Sequence, residues 1–304
     1  MRFLSVLSAA AAFGTMLIEP IAASPTVMGT IPKHISENVR RELASLSSSE
    51  YTLYKRDAGP SGTLLGKRGA QINGVQKRCN THSCLSITFD DGPYRWEPKL
   101  VRTLANAGNQ KATFFVNGAN WRCIYDEASV QRLRHTYEQG HQICSHTWSH
   151  PDISTLNNEE LDEQVQLVED ALWKILGVVP ACIRAPYGNI RPDQVQYLND
   201  RWGLVVVGWN LDTGDANGDG VDAGLNLYRN LHAPKHAIIL NHETVQGTVD
   251  TVIPQAVNIV RKNGYQGSRT VAETIGFNPY KVVGRYQNRD DSWTCEDKPQ
   301  PGAN

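Results

Sequence analysis

This sequence has almost no net charge, no N-glycosylation site and few long apolar runs. Its 304 residues carry 30 lysines and arginines against 31 aspartates and glutamates, so the formal net charge is −1. This balance gives no electrostatic reason to expect nucleic acid or an anionic membrane surface as a partner. No Asn-x-Ser/Thr triplet occurs, and no run after the first two dozen residues is long and apolar enough to cross a bilayer. We expect a monomer that binds neither nucleic acid nor a membrane, and the charge balance suits an uncharged substrate.

The N-terminus has the order of a secretory signal peptide. Arg2 precedes an apolar run over residues 3–18, and the small residues Ala22, Ala23 and Ser24 follow. A membrane anchor is the alternative, but the run is too short to span a bilayer. We therefore expect a signal peptide over residues 1–23 and a secreted protein, outside the cell or in the cell wall.

Residues 24–78 have few apolar side chains and are rich in serine, glycine and charge. Three basic pairs, Lys55-Arg56, Lys67-Arg68 and Lys77-Arg78, resemble cleavage sites of kexin-type proteases. The segment is interpreted as a pro-segment or, alternatively, as a disordered linker. Either interpretation puts it outside the folded part, which would be one domain over residues 79–304.

All six cysteines lie in that expected domain. An even number in an oxidising compartment favours disulfides, although six cysteines allow 15 complete pairings. Cys79 and Cys295 bracket the domain, so a bridge between them would tie its ends together. Cys144 and Cys182 lie two residues before His146 and Arg184, and an alternative for them is a pair of buried free thiols.

From residue 85 onward, short β-rich runs alternate with amphipathic helical patterns. The clearest helix covers residues 158–176, where apolar side chains recur three or four positions apart and Gly177 can end the helix. Predicted strands cover residues 85–89, 112–116, 142–145, 181–184, 204–209 and 237–241. Other predicted helices cover residues 98–107, 128–139, 191–201, 252–263 and 271–275. This alternation predicts an α/β fold, a distorted and incomplete (β/α) barrel of about seven strands with its site at the C-terminal strand ends.

Two polar motifs follow predicted strands early in the domain. Asp90 and Asp91 end the first strand within Asp-Asp-Gly-Pro, which is also a common turn sequence. One of two adjacent carboxylates can coordinate a cation while the other stays free as a base. His146 and His150 follow the third strand with a spacing that lets both imidazoles face one side of a helical turn. Two imidazoles and one carboxylate leave open positions for water and substrate, as catalytic zinc sites require.

Three further motifs follow later strands. Arg184 ends the fourth strand before Pro-Tyr-Gly, where a guanidinium can hold a carboxylate and a turn amide can face an oxyanion. Asp212 and Asp215 follow the fifth strand, and His242 follows the sixth. A histidine at a strand end can act as a general acid when a carboxylate orients its other ring nitrogen. Taken singly, each motif is also compatible with an ordinary turn.

In this order, the five motifs resemble those of the NodB-homology polysaccharide deacetylases, carbohydrate esterase family 4. The resemblance covers roughly residues 84–276. It implies hydrolysis of N-acetyl groups from a polysaccharide that contains N-acetylglucosamine, with release of acetate. Chitin or chitin oligomers are favoured as substrate because the basic pairs suggest a fungal secretory protein. One divalent metal is also implied, with zinc favoured over cobalt or nickel.

The resemblance implies nine site residues in three groups: metal ligands, acid–base residues and residues that face the substrate. They are Asp91, His146 and His150 as ligands; Asp90 as general base, steadied by Arg184, with His242 as general acid, oriented by Asp215; and the Tyr187 backbone amide and Leu240, which would face the oxyanion and the acetyl methyl group.

One position departs from the family pattern. Family members usually carry tryptophan after the second aspartate of the fourth motif, whereas this sequence has Ala216. The change puts one wall of the substrate groove and the placement of Asp215 in question. The local sequence also matches the start of a calcium loop, with Asp215, Asn217 and Asp219 as ligands, although Asn226 stands where a bidentate glutamate is needed. The alternatives are a second, calcium site and a flexible loop, and the loop is favoured.

Other functions remain open on the same residues. An O-acetyl esterase, such as an acetylxylan esterase, would use the same reaction centre on an ester. An Fe(II) oxygenase could use Asp91, His146 and His150 as its two-histidine, one-carboxylate triad, but the separate base candidate Asp90 argues against it. A non-catalytic carbohydrate-binding protein would be expected to lack Asp90 and His242, and both are present.

Overall fold

The computed structural model of the protein describes residues 31–53, 72–80, 83–108 and 110–302. The predicted signal peptide and the pairs Lys55-Arg56 and Lys67-Arg68 lie outside the described residues. None of the helices in the described ranges combines the length and the hydropathy that a membrane span requires.

Ten strands and eight α-helices alternate along the described chain. The strands are β1 (Thr52–Leu53), β2 (Leu85–Gly92), β3 (Ala112–Val116), β4 (Gln142–Ser145), β5 (Val178–Pro180), β6 (Cys182–Ile183), β7 (Val205–Val206), β8 (Leu211–Asp212), β9 (Ala237–His242) and β10 (Tyr280–Val283). The helices are α1 (Glu37–Ser45), α2 (Glu97–Asn106), α3 (Glu127–Glu138), α4 (Asn158–Leu176), α5 (Pro192–Trp202), α6 (Gly220–Asn230), α7 (Ile253–Lys262) and α8 (Val271–Ile275).

The main sheet has seven strands in the order β7-β6-β4-β3-β2-β9-β8, and every neighbouring pair is parallel. Followed around the sheet, the strands come in chain order, except that β7 and β8 form the two edges instead of pairing with each other. The sheet is therefore a curled, incomplete (β/α) barrel that is open between β7 and β8, which confirms the predicted fold class. Gln76 covers part of the β7 edge through a parallel bridge to Val207.

The predicted elements are present with small shifts at their ends. Helix α4 has the predicted bounds because Asn157 caps its first turn, Glu160 completes a capping box, and Gly177 ends it in the left-handed conformation at φ 71°. A Cβ at Gly177 would lie 2.5 Å from the Arg285 carbonyl carbon, so glycine is required there. The sequence patterns did not reveal α1, α6 or the short strands β1, β5, β8 and β10.

Residues 31–53 pack on the domain, which corrects the prediction that all of residues 24–78 lie outside it. Helix α1 buries Val39 and Leu43 against α4. Strand β1 adds to β10, which pairs with β5 in a second, three-stranded antiparallel sheet. The low apolar content of the whole segment concealed this short amphipathic stretch.

The structure selects one of the 15 pairings that the sequence left open. The bonds are Cys79–Cys84, Cys123–Cys295 and Cys144–Cys182, and the described residues contain no free cysteine. The Cys79–Cys295 bridge considered from the sequence does not form, because Cys84, directly before β2, lies beside Cys79 while Cys295 lies against the loop after β3. The free-thiol interpretation of Cys144 and Cys182 is also wrong, since these residues lie on strands β4 and β6, which are neighbours in the sheet.

The Cys123–Cys295 bond closes the longest loop, with a sequence separation of 172. In the chain-entropy model such a loop contributes roughly 5 kcal/mol to the free energy of unfolding, against about 2 kcal/mol for the five-residue separation of Cys79–Cys84. We predict that Cys123→Ser/Cys295→Ser lowers the free energy of unfolding more than Cys79→Ser/Cys84→Ser does. Urea unfolding of both double variants measures this, and equal losses would contradict it.

Candidate active site

The polar motifs meet at the carboxyl-terminal edge of the main sheet, where its parallel strands end. Asp90 and Asp91 lie at the end of β2, His146 directly follows β4, Arg184 directly follows β6, and His242 is the last residue of β9. Because all of these strands are parallel, their carboxyl ends lie on the same face of the barrel, where loops can bring the side chains together. The face is the one that the sequence predicted.

Asp91, His146 and His150 form a compact group of three possible ligands. One donor atom from each lies within 4.8 Å of the others. Asp91 Oδ1 is 3.3 Å from His150 Nε2 and 3.7 Å from His146 Nε2. Two imidazole nitrogens and one carboxylate oxygen at these separations fit a divalent transition metal with open positions for other ligands.

The surroundings of His146 favour the form of the ring that binds a metal. Its Nδ1 lies 2.9 Å from the Arg184 carbonyl oxygen and donates to it, which leaves the lone pair on Nε2 directed at Asp91. Burial and the neighbouring His150 lower the pKa of His146 to about 3, so the ring stays neutral. The backbone after β6 therefore fixes the tautomer of this residue, and burial keeps its ring neutral.

Asp90 is buried and paired with a buried guanidinium. Arg184 Nη1 donates to Asp90 Oδ1 at 2.7 Å and to Thr88 Oγ1 at 2.8 Å. The other nitrogens of Arg184 donate to the carbonyl oxygens of Val207 and Gly208. Burial raises the pKa of Asp90, and the charge of Arg184 opposes that effect. Asp90 Oδ2 faces His146 Nε2 at 3.7 Å, so its free oxygen points towards the ligand group.

His242 is bound on its Nδ1 side by Asp215. Asp215 Oδ1 lies 2.8 Å from His242 Nδ1, and Asp215 Oδ2 accepts from the His242 backbone amide at 2.8 Å and from Thr248 Oγ1 at 2.6 Å. Burial lowers the pKa of His242, but the hydrogen bond to Asp215 and the charges of Asp90 and Asp91 outweigh it and raise that pKa to about 9. A protonated Nε2 on this ring is therefore available near neutral pH.

Backbone strain is concentrated at the same edge. Six non-glycine residues in the described ranges have positive φ, and four of them belong to these motifs: Asp91 (72°), Thr147 (70°), His150 (58°) and Tyr187 (58°). Such conformations cost of order 1–3 kcal/mol each and persist only where the surroundings impose them. Strain of this kind is typical of catalytic and ligand-binding sites. The backbone geometry therefore indicates a functional site here, independently of any sequence similarity.

Tyr187 and Leu240 border the group. Tyr187 is 65% exposed, and its ring packs edge-on against His150 with centroids 4.6 Å apart. Leu240 is nearly buried on β9, where it pairs with Thr88 of β2 and Asp212 of β8. A cavity of about 190 Å³ lies beside Arg184 and Tyr187, with Trp209 and Lys77 among its other lining residues.

Comparisons with known proteins agree with this geometry. The family model described as polysaccharide deacetylase matches residues 77–207. A chitin deacetylase from Pestalotiopsis sp is 36% identical over 188 residues, which cover 61% of this chain and 62% of that protein. The structure of the chitin deacetylase from Colletotrichum lindemuthianum matches with a TM-score of 0.63 at 28% identity, over 68% of this chain and 95% of that one. A structure described as T48 deacetylase with substrate matches with a TM-score of 0.57 at 31% identity, over 66% and 96%.

The chain belongs to the polysaccharide deacetylase family. The Pestalotiopsis relative is longer than the matched region, since the chain spans less than two thirds of its length. The membership accounts for the incomplete barrel and for the order in which the five motifs occur around its edge.

This polysaccharide deacetylase domain keeps Asp215 in place although Ala216 replaces the usual tryptophan. Both carboxylate oxygens of Asp215 accept hydrogen bonds from protein donors, among them the Ala216 amide at 2.9 Å. The predicted calcium site at Asp215, Asn217 and Asp219 would have to share that carboxylate with His242, so these contacts argue against it. Ala216 itself is exposed, and its methyl group leaves that side of the edge open.

Four residues at the edge were not predicted. Asn120 Nδ2 donates to Asp91 Oδ1 at 3.3 Å, and Thr248 binds Asp215. Glu243 is fully buried and accepts from the Tyr94 amide at 2.7 Å, and burial together with the charge of the neighbouring Glu97 raises its pKa. Burial raises the pKa of Glu97 to about 7. No local pattern distinguishes Asn120, Thr248 or Glu97, whereas Glu243 follows His242 and a strand-end motif could have included it.

The contacts of Asp215 generate a testable prediction about His242. In metal-free protein, Asp215→Asn removes the negative charge that holds the Nδ1 proton, so the pKa of His242 should fall from about 9 by roughly 1–3 pH units. Titration of the His242 ring signals by NMR measures this change. Asp219→Asn, an exposed change in the same loop, is the matched control and should leave the pKa of His242 where it is. An unchanged pKa in Asp215→Asn would contradict the assignment.

Proposed function

We propose that the protein hydrolyses N-acetyl groups of a polysaccharide that contains N-acetylglucosamine, with chitin or its oligomers as the favoured substrate, and releases acetate. The single observation that supports this most is the division of roles at one edge. Asp90, held by Arg184, faces the Asp91, His146 and His150 group on one side, and His242, held by Asp215, supplies a protonated imidazole. A base, a ligand set and an acid are the groups that amide hydrolysis needs.

The proton transfers follow from these residues. Asp90 Oδ2 is free of Arg184 and takes the proton of the water that attacks the acetyl carbonyl carbon. The oxyanion that forms faces the Tyr187 backbone amide, whose direction is fixed by the positive φ of that residue. His242 Nε2 then gives its proton to the sugar nitrogen as the C–N bond breaks. One water is consumed, and acetate and a free amino sugar are the products.

Asp91, His146 and His150 are proposed to hold one divalent metal, with zinc favoured over cobalt and nickel. When bound there, such an ion lowers the pKa of a coordinated water and polarises the amide carbonyl. The neutral tautomer of His146, with Nε2 directed at Asp91, is the state of the ring that this role requires. Leu240 is proposed to border the acetyl methyl group.

Secretion and a monomeric state also remain proposals. Three disulfides in the described chain suit an oxidising compartment, and the near-neutral composition suits an uncharged polymer as partner. The predicted signal peptide over residues 1–23 would direct the protein there.

The assignment of Asp90 as general base predicts separable effects of two neighbouring changes. Asp90→Asn should reduce deacetylation by at least about 10²-fold and leave the metal content unchanged, because Asp90 is not one of the three proposed ligands. Asp91→Asn should lower both, because it weakens a ligand. Acetate release and metal content measured on the two purified variants test this. Appreciable activity in Asp90→Asn would show that another group is the base.

The substrate is tested with a panel of acetylated oligosaccharides and mass spectrometry of the products. We expect loss of acetate from chitin oligomers, abolished by a chelator and restored by Zn²⁺ under anaerobic conditions. Acetylated xylan is the control substrate, since an O-acetyl esterase with the same centre would release acetate from it instead. Faster release from xylan than from chitin oligomers would contradict the proposed substrate, and activity that survives the chelator would contradict the proposed metal.

A further inference from the structure

The N-terminal residues 31–53 occupy a built apolar site on the side of the domain formed by α4, β5 and β10. Ile35, Val39 and Leu43 are all at most 1% exposed. They share one cluster with Trp173 of α4, Val179 of β5 and Val282 of β10. Without the segment, these three side chains of the domain would lie at its surface. A contiguous apolar area of this kind is uncommon on a soluble protein that has no partner.

A buried polar group in the same site also depends on the segment. Glu169 is fully buried and forms an ion pair with Lys281. Its Oε2 accepts from the Ser36 backbone amide at 2.8 Å, while Lys281 Nζ donates to the His34 carbonyl oxygen at 2.9 Å. Segment and domain thus each complete the other's hydrogen bonds, and buried charges that lose such partners are costly.

Further contacts extend the site along the rest of the segment. The Ser36 hydroxyl binds Asp170 and also caps α1, and Asn38 Nδ2 donates to Asp170 at 2.6 Å. Gln287 donates to both carboxylate oxygens of Glu42. Strand β1 then adds two residues to the edge of β10. The contacts extend along the segment from Ile31 to Leu53, as is expected of an integral part of a domain.

The positions of the basic pairs make the docking of residues 31–53 on the domain testable. Lys55-Arg56, Lys67-Arg68 and Lys77-Arg78 all follow the segment, so cleavage at any of them separates it covalently from the domain. One more basic pair, Arg40-Arg41, lies within α1, where both arginines pair with Glu37. Proteases bind extended chain, so a docked α1 protects its own pair while an undocked one exposes it.

We propose that residues 31–53 are a permanent part of the deacetylase domain, held so that they stay bound to it non-covalently after the chain is cut at the Lys-Arg pairs that follow them. The mature protein would then be a two-chain assembly, and processing at the Lys-Arg pairs could remove only residues after Leu53. This inference does not depend on the proposed activity, and its test uses no activity measurement.

The test cuts the native full chain with a protease specific for basic pairs until intact mass shows cleavage after Arg56. We expect the N-terminal piece to co-elute with the domain in size-exclusion chromatography at micromolar protein, and to separate from it only in denaturant. We also expect no cut after Arg41. Separation of the piece under native conditions, or rapid cleavage after Arg41, would overturn the proposal.

Two neighbouring substitutions in α1 provide a matched comparison. Leu43→Asp puts a charge into the buried cluster and should release the piece after cutting and open Arg40-Arg41 to the protease. Ala44→Asp puts the same charge on the exposed face and should change neither result. If Leu43→Asp prevents folding, Ser36→Ala removes the cap and one bond to Asp170 and should weaken retention partially. Equal retention in Leu43→Asp and Ala44→Asp would contradict the role of the apolar cluster.

Discussion

The buried pair of Arg184 and Asp90 is the interaction on which the rest of the edge depends. The guanidinium is fully buried, lies 4.0 Å from the Phe115 ring centroid, and donates hydrogen bonds to groups on β2 and on the chain after β7. Burying two charges costs several kcal/mol per ion, and the four hydrogen bonds that the guanidinium donates, one of them to Asp90 Oδ1, offset part of this cost. The carbonyl of the same arginine also sets the tautomer of His146. One residue thus positions Asp90 and His146, the proposed base and one proposed ligand, and joins β2 to the chain after β7.

Burial of the parallel sheet offsets the unfavourable free energy of the strained and charged residues at its carboxyl-terminal edge. Left-handed backbone at Asp91, Thr147, His150 and Tyr187, a buried ion pair and two buried glutamates beside the site all oppose folding. The strands beneath are almost wholly buried, with Phe89 and Phe114 packed 5.2 Å apart between β2 and β3. Their burial is the favourable contribution that lets strained residues persist at the strand ends. Stability and site chemistry are therefore separated along each strand, with the strain confined to its carboxyl end.

The sequence predicted the parts of the fold that local patterns encode. Helix α4 was placed to the residue because its capping box, apolar spacing and terminal glycine agree. The two-residue strands β7 and β8 exist through pairing with neighbours distant in sequence, and disulfide pairing likewise depends on tertiary contacts. Thr248 meets Asp215 across 33 positions for the same reason. Helix α1 was missed because its nine residues lie in a segment whose overall composition indicates disorder.

The loop that departs from the family pattern shows which contacts hold Asp215 in place. Asp215 is positioned by the backbone amides of Ala216 and His242, the ring of His242 and the hydroxyl of Thr248, and none of these contacts involves the side chain at position 216. Replacing an aromatic ring by a methyl group there therefore leaves the acid pair intact. What changes is the surface beside it, where Ala216 is exposed. The departure therefore changes the surface that the proposed polysaccharide substrate would contact, and it leaves the contacts of His242 unchanged.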